Sequence, residues 1–163
     1  MVEKTGRKQK SRTTESVDDY LKAVYTLGGE ERRRVGGSEL ATRLGVAPAS
    51  VTNMLQKLSA APKSFVDYKS REGVRLTSAG RRRALEIVRH HRLVETFLFE
   101  IMEYPIDELH DEAERLEHFI SERFEERMAA KLGNPVSDPH GHCIPAIDGT
   151  MPPCHGSTCQ CGR

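Results

Sequence analysis

Two short segments of apolar residues, separated by a glycine turn, constrain the fold of the first half of the chain. Residues 38–44 and 48–59 both repeat apolar side chains at helical spacing, and Pro48 suits the first turn of a helix. Gly45 lies in the three-residue connection between them. Two helices joined by so tight a turn are typical of a helix-turn-helix, although an ordinary helical hairpin with a polar face is the alternative. The outward positions of the second helix carry side chains suited to base edges and phosphates: Ala49, Ser50, Thr52, Asn53, Gln56 and Lys57.

A β-hairpin is predicted directly after this helix pair. Residues 65–69 and 74–77 have strand character, and Ser70-Arg71-Glu72-Gly73 supplies the turn between them. In this position the hairpin would be the wing of a winged helix-turn-helix. Its basic side chains, Lys69, Arg71 and Arg75, would then lie near a phosphate backbone, although strand cations also serve to keep an edge soluble.

Charge divides the chain into two halves of opposite sign. Residues 1–83 carry a net charge of +9 and residues 84–163 a net charge of −8, whereas the whole chain is at +1. A basic half can bind nucleic acid through phosphate contacts, and an acidic half can attract divalent cations. Two domains with different tasks are therefore expected.

The remaining periodicity predicts a mostly α-helical chain. We expect helices at residues 16–28, 77–103, 106–120 and 121–132, with Gly133 ending the last one. The apolar stripes of the later helices have little core of their own to cover, which favours burial against a second copy in a two-fold dimer. The predicted domains are a disordered basic arm (1–15), a winged helix-turn-helix (16–80), an all-α dimerisation and metal-binding domain (81–135) and a Pro/Gly/Cys-rich tail (136–163).

One helix of the acidic half carries a stripe of candidate metal ligands. At 100° per residue, the donors His110, Glu114, Glu117 and His118 lie beside an apolar stripe that starts at Leu109. Imidazole and carboxylate donors without a thiolate suit Mn2+, Fe2+ or Zn2+. His91 and Glu95 on the preceding helix are spaced i,i+4, which also allows chelation. The alternative is a solvated face of i,i+4 pairs.

The cysteines are confined to the end of the chain. The candidates for a second metal-binding or redox cluster there are Cys143, Cys154, His155, Cys159 and Cys161, although an unstructured tail is the default. The body of the protein does not depend on disulfides, which fits a reducing compartment. No apolar run is long enough for a membrane span and none follows the basic N-terminus, so a cytoplasmic protein is expected.

The order of these motifs resembles the diphtheria toxin repressor and manganese transport regulator family. The resemblance is carried by Asp19-Tyr20-Leu21, Val51-Thr52, residues 76–80, His91-Arg92-Leu93, residues 109–118 and residues 132–135. It implies a cytosolic homodimeric repressor of metal-uptake genes with Mn2+ or Fe2+ as co-repressor. It also implies a primary metal site at Asp19, Glu114, Glu117 and His118, and a second metal position at His91, Glu95 and His110.

Two positions set the expected metal preference within that resemblance. Asp19 and Glu114 stand where iron-responsive members place Met and Cys, which looks manganese-like, whereas the second position looks iron-type. Lys22 stands where the manganese type has a second carboxylate on the first helix, so one or two metals per subunit remain open. Ser16 and Asp19 also resemble a capping box, which would give the Asp19 carboxylate to backbone amides instead.

The expected function is a metal-responsive repressor that binds a near-palindromic double-stranded DNA operator and is not an enzyme. Two alternatives are kept. One is a DNA-binding regulator that senses Zn2+ or redox state through the Cys/His tail. The other is a di-metal carboxylate enzyme on a helical bundle, although such enzymes present Glu-x-x-His twice and this chain has Glu-x-x-Glu-His once.

Overall fold

Six α-helices and one β-hairpin make up the part of the chain that is described, residues 5–29 and 32–153 of a computed structural model, with side-chain environments from Glu15 onward. The elements are α1 (Thr5–Gly28), α2 (Gly37–Leu44), α3 (Pro48–Ala60), β1 (Val66–Lys69), β2 (Gly73–Leu76), α4 (Ser78–Glu100), α5 (Leu109–Leu116), a 3₁₀ helix (Glu117–Phe119) and α6 (Glu122–Lys131). They divide into two compact units, with the boundary between Ala84 and Leu85. The predicted mostly α-helical fold with a winged N-terminal half is confirmed.

The first unit contains the helix-turn-helix. Gly45 ends α2 in the left-handed conformation (φ 64°, ψ 30°), and its N–H bonds to the carbonyls of Ala41 and Thr42. Glycine adopts this conformation without a Cβ penalty, so the chain turns sharply and α3 starts at Pro48. The inward side chains of α2 and α3 pack with α1 and the hairpin in one core that includes Leu21, Val24, Val35, Leu40, Val51, Leu55, Val66 and Val74.

The wing is an antiparallel hairpin extended by one residue of the preceding loop. Val66 pairs with Leu76 and Lys69 with Gly73. Val35 adds an isolated bridge to Val74, with N–H···O distances of 2.7 and 2.9 Å. Arg34 next to it donates to the carbonyls of Asp67 and Gly73, both at 3.1 Å, and lies 2.6 Å from the Asp67 carboxylate. The hairpin is thereby tied to the start of the helix-turn-helix.

The first helix begins earlier than the sequence indicated. α1 starts at Thr5 rather than Ser16, so the predicted disordered arm is helical over residues 5–15, and residues 1–4 lie outside the described part. Residues 7–12 are mostly Arg, Lys and Gln, which have good helix propensity, and they extend the helix without an apolar stripe of their own. Ser16 and Asp19 consequently lie in the middle of the helix. The capping-box interpretation of Asp19 was wrong, because a cap operates only in the first turn.

The second unit is helical but does not end where the helices end. Leu93, Leu98, Leu109, Ala113 and Met128 belong to its core, to which the segment after α6 contributes Ile144. Ser137 forms a bridge with Cys143, and Cys143 is buried. The predicted boundary at residue 135 therefore falls short, because residues 136–146 include side chains that pack against the helices.

The predicted helix over residues 106–120 is shorter and is broken near its end. α5 covers eight residues, and the chain then tightens into the 3₁₀ helix before Ser121 caps α6 by accepting from the N–H of Phe124 at 3.3 Å. The tightening changes the direction in which residues 117 and 118 point. Among the described helices, none is long and apolar enough to cross a lipid bilayer.

Candidate functional site

The exposed face of α3 carries the predicted DNA-reading side chains. All six of them are exposed: Ala49, Ser50, Thr52, Asn53, Gln56 and Lys57. The opposite face of the helix is buried through Val51, Leu55 and Leu58. One side of α3 is therefore packed on the core of the first unit, and the other side is exposed, as a helix that enters a DNA groove requires.

The basic side chains of the wing are exposed, and two of them have carboxylate partners on the same hairpin. Lys69 Nζ lies 3.0 Å from Glu72 Oε2, and Arg75 Nε lies 2.9 Å from Asp67 Oδ2. Desolvation acts to raise the pKa of Asp67. The hydrogen bond from Arg75 and the charges of Arg34 and Arg75 outweigh it and hold that pKa below its ordinary value. Arg71 at the tip is also exposed.

In the second unit, His91 on α4 lies at the centre of the predicted metal ligands. Its Nδ1 is 2.5 Å from Oε2 of Glu117, and its Nε2 is 3.0 Å from Oε1 of Glu95. His110 Nδ1 lies 3.2 Å from the same Nε2. Glu95 lies one turn further along α4, His110 lies on α5 and Glu117 in the 3₁₀ helix. The cluster therefore depends on the packing of α4 against α5 and the 3₁₀ helix.

The four residues predicted to form one stripe are divided between two surroundings. On α5, His110 is exposed and Glu114 is half-buried, with 3.7 Å between Nε2 and Oε1. Glu117 is fully buried because the 3₁₀ helix directs it towards α4, and His118 Nε2 lies 3.6 Å from its Oε1. Donor atoms of His91, His110 and Glu114 all lie within 4.8 Å of one another.

A further cluster of donors was missed from the sequence. Donor atoms of Glu95, Asp138 and His140 also lie within 4.8 Å of one another, and His140 Nδ1 is 3.5 Å from Glu95 Oε2. Asp138 is buried, and its Oδ1 accepts from the backbone N–H of His140 and of His142, each at 2.9 Å. The Asp-x-His-x-His spacing at 138–142 was the available signal, but it lies in a segment without periodicity.

The other oxygen of Asp138 is what a bound cation would satisfy. Asp138 Oδ2 is buried without a hydrogen-bond partner among the described residues; Arg92 Nε lies 3.7 Å and His142 Nδ1 3.4 Å from it. Buried carboxylate oxygens normally have a partner. The donors here are oxygen and imidazole nitrogen, which suit a divalent first-row ion.

Glu95 is prepared to act as a ligand in its ionised form. Burial acts to raise the pKa of Glu95. The hydrogen bond with His91, together with the charges of His91, His140 and His110, outweighs burial, so the pKa lies below its ordinary value. An ionised carboxylate is the form that coordinates a metal. The Glu95 carboxylate is therefore in the form that a divalent cation needs.

Two further groups of predicted residues lie on α1 and near the end of the chain. Asp19 and Lys22 belong to α1 in the first unit. Cys143 is buried in the second unit, whereas Cys154, His155, Cys159 and Cys161 lie outside the described residues. The role of the tail stays a prediction.

Comparison with known proteins agrees with a DNA-binding unit followed by a metal-binding unit. The family "Iron dependent repressor, N-terminal DNA binding domain" matches residues 12–74, and "Iron dependent repressor, metal binding and dimerisation domain" matches residues 77–146. The chain therefore belongs to the iron-dependent repressor family of transcriptional regulators. This is not an enzyme family, so the di-metal enzyme alternative is excluded, and the resemblance stated from the motifs is confirmed.

Relatives in this family include both iron- and manganese-named regulators. The chain is 30% identical to the iron-dependent repressor IdeR of Mycobacterium leprae over 133 residues, which is 82% of this chain and 56% of that protein. It is 35% identical to the HTH-type transcriptional regulator MntR of Bacillus subtilis over 109 residues, 67% of this chain and 74% of MntR. The uncharacterized regulator MJ0568 of Methanocaldococcus jannaschii is 33% identical over 115 residues, 71% of this chain and 90% of MJ0568.

Solved structures give the same result. A manganese-dependent transcriptional repressor in complex with manganese superimposes with a TM-score of 0.76 at 44% identity, over 83% of this chain and 61% of that one. ScaR with bound Zn2+ gives a TM-score of 0.72 at 36% identity, over 83% and 62%. The chain thus spans about three fifths of the length of these solved relatives and 56% of IdeR.

Proposed function

We propose that this protein is a metal-responsive transcriptional repressor that binds DNA as a homodimer, with Mn2+ or Fe2+ as co-repressor. The observation that carries the proposal is the buried carboxylate–imidazole cluster around His91, which lies in the region matched as a metal-binding and dimerisation domain. The exposed polar face of α3 in the matched DNA-binding region supports the second half of the proposal.

Two metal positions are proposed for each subunit. The primary position uses Asp19, Glu114, Glu117 and His118. The second uses His91, Glu95 and His110, and we add Asp138 and His140 to it because both lie at Glu95. The buried and unsatisfied Oδ2 of Asp138 supports this addition.

The chain's own charges provide the switch. Carboxylates gathered at one site repel one another unless a positive charge lies between them. A bound divalent cation supplies that charge. At a cation concentration of 100 times the dissociation constant, binding stabilises the binding-competent state by about 2.7 kcal/mol. This corresponds to roughly a hundredfold bias between two conformational states. With Asp19 as a shared ligand, the bias would act on the orientation of the DNA-binding unit.

Donor chemistry favours Mn2+ over softer ions at the primary position. Asp19, Glu114 and Glu117 are hard oxygen donors, and no thiolate is among the proposed ligands. His91 and His110 at the second position also suit Fe2+, and Zn2+ is the alternative for any site of this composition. Of the two solved relatives described above, one is in complex with manganese and the other has bound Zn2+.

Operator binding is proposed to use both protomers. α3 would enter the major groove, and Arg71 at the wing tip would contact the adjacent backbone. In a two-fold dimer the two α3 helices must lie about 34 Å apart to read half-sites one helical turn from each other. The operator is accordingly near-palindromic, and the protein acts in the cytoplasm, where the DNA and the reduced metal pool are.

A single titration tests the proposal. The affinity of the purified protein for a promoter fragment is measured by fluorescence anisotropy with Mn2+, Fe2+ under anaerobic conditions, Zn2+, and no metal. An unrelated fragment of the same length serves as the control for non-specific binding. Specific affinity should rise at least tenfold with the physiological ion and return to the metal-free value with a chelator. Affinity that is indifferent to the chelator would refute metal dependence.

A further inference from the structure

His90, the neighbour of the proposed ligand His91, is buried and bonded on both sides. Its Nδ1 lies 3.2 Å from the backbone carbonyl oxygen of Glu117, and its Nε2 lies 3.0 Å from Oε2 of Glu125 on α6. The exposed fraction of His90 is 5% and that of Glu125 is 4%. A carbonyl oxygen only accepts hydrogen bonds, so Nδ1 is the donor in the bond to Glu117.

The carbonyl that accepts the hydrogen bond from His90 lies at the junction of two helix types. Glu117 caps the C-terminal end of α5 and begins the 3₁₀ helix, and carbonyls at a helix end lack the N–H of a following turn. The bond from α4 fixes the backbone where the chain changes from one helix type to the other. The directions of the Glu117 and His118 side chains depend on that change.

Two consecutive residues of α4 thus hold Glu117 at its two ends. His91 contacts the carboxylate, with 2.5 Å between Nδ1 and Oε2, and His90 contacts the carbonyl. The other carboxylate oxygen, Oε1, is the one nearer to His118, at 3.6 Å from its Nε2. The carbonyl bond from His90 involves no proposed ligand atom, so it can persist when a metal binds.

Glu125 and Arg89 keep His90 in this orientation. Arg89 donates to the Glu125 carboxylate and also, at 2.7 Å, to the carbonyl of Pro145. Burial acts to raise the pKa of Glu125, but the hydrogen bonds with His90 and Arg89 outweigh it and keep the pKa below its ordinary value. The carboxylate therefore remains an acceptor for the Nε2 side of the ring.

We infer that His90 is a positioning residue of the metal site. Its Nδ1 bond to the Glu117 carbonyl sets the directions of the Glu117 and His118 side chains, and His90 itself is not a ligand. This inference rests on the proposed function, since it assumes that Glu117 and His118 bind the metal. Outer-shell partners of metal ligands typically contribute 10–100-fold to metal affinity.

Two variants separate the two sides of the ring. The Asn amide nitrogen reaches about as far as Nδ1 of histidine, and the Gln amide nitrogen about as far as Nε2. His90→Asn therefore keeps a donor for the Glu117 carbonyl and loses the contact with Glu125, whereas His90→Gln does the reverse. Mn2+ affinity is measured by calorimetry, and the visible spectrum of the Co2+-loaded protein reports on the coordination geometry.

The expected result is that His90→Asn binds Mn2+ within about threefold of the wild type, and that His90→Gln binds at least tenfold more weakly with an altered Co2+ spectrum. A purely structural role would lower the melting temperature of both variants without separating their metal affinities. Equal affinities for both variants and the wild type, or a greater loss in His90→Asn, would overturn the inference. Wild-type protein that binds no metal would instead overturn the proposed function.

A measurement on the wild type covers the case in which a variant does not fold. In protein with ¹⁵N-labelled histidine, His90 should show a protonated Nδ1 both without metal and with diamagnetic Zn2+, whereas signals of His91 should change on Zn2+ binding. A His90 Nδ1 without hydrogen in either state would overturn the inference, because the bond to the Glu117 carbonyl requires that hydrogen.

Discussion

The imidazole of His91 and the carboxylate of Glu117 meet at 2.5 Å, and Glu117 is completely removed from solvent. A buried carboxylate needs a positive or hydrogen-bonding partner, and His91 is one such partner. Glu117 belongs to the proposed primary metal position and His91 to the second, so the contact links the two positions.

Replacing Glu117 tests whether it is a ligand. In wild-type protein, Mn2+ at 100 times its dissociation constant should add about 2.7 kcal/mol to the free energy of unfolding, a rise of roughly 5–11 °C in melting temperature. Glu117→Gln should lose most of this rise, because the amide still accepts from His91 but carries no charge. Calorimetric melting with and without Mn2+ measures it. Glu122→Gln, an exposed carboxylate on α6, is the control and should behave like the wild type.

Asp19 is the proposed ligand from the DNA-binding unit. Asp19→Asn should reduce the metal-dependent gain in operator affinity at least tenfold while leaving the dimer intact, because it removes one anionic ligand and keeps the size of the side chain. Anisotropy with and without Mn2+ gives the first quantity and light scattering the second. Glu15→Gln, on the same helix, is the matched control. An unchanged metal response would remove Asp19 from the site.

α3 offers a base-reading and a phosphate-contacting side chain to compare. Asn53→Ala should cost about 1–3 kcal/mol in operator binding and far less in non-specific binding, because an amide can pair with a base edge. Lys57→Ala should weaken operator binding and non-specific binding about equally. It should also reduce the slope of log affinity against log salt concentration by about one. Affinities on operator and random DNA at several salt concentrations measure this. An equal loss on both DNAs for Asn53→Ala would show that it reads no base.

Gly80 is required by the close approach of the wing to the first turn of α4. A Cβ at this position would lie 1.9 Å from the carbonyl oxygen of Phe65, so backbone must shift. Gly80→Ala should lower the free energy of unfolding by about 1–3 kcal/mol, within the usual cost of overpacking. Gly37→Ala, at the start of α2 with nothing within 4 Å, should be neutral or stabilising by up to about 1 kcal/mol. Urea unfolding of both variants checks the difference.

Removing the cysteine tail separates the main proposal from its alternative. Deletion of residues 154–163 removes Cys154, His155, Cys159 and Cys161 and keeps the described segment that packs on the second unit. If metal is sensed at the helices, the deletion removes no ligand, and the Mn2+ dependence of operator affinity should change by less than about twofold, or about 0.4 kcal/mol. A lost response would make the tail the sensor.

The DNA-binding half was predictable from local signals. Gly45, Pro48 and the turn at residues 70–73 fix where the chain changes direction, and such turn chemistry acts over a few residues. The start of α1 was misjudged, because a solvated helix without an apolar stripe looks like a flexible arm in sequence.

The metal-binding half was only partly predictable, because its geometry depends on distant residues. Periodicity placed Glu114 and Glu117 on one stripe, but the 3₁₀ helix buries Glu117 against His91, which is 26 positions away. Asp138 and His140 were missed for the same reason. They lie in a loop, and only the packing of that loop against α4 brings them to Glu95.

The paired side chains of the wing have a consequence for how the protein approaches a polyanion. Because Lys69 and Arg75 already have Glu72 and Asp67 as counter-ions, the hairpin carries its own neutralising charges and has few excess cations to offer. Its docking should release few of the salt ions condensed on a duplex. The ionic-strength dependence of operator affinity would then mainly reflect the phosphate contacts of α3 and its neighbours, and only to a small extent those of the wing.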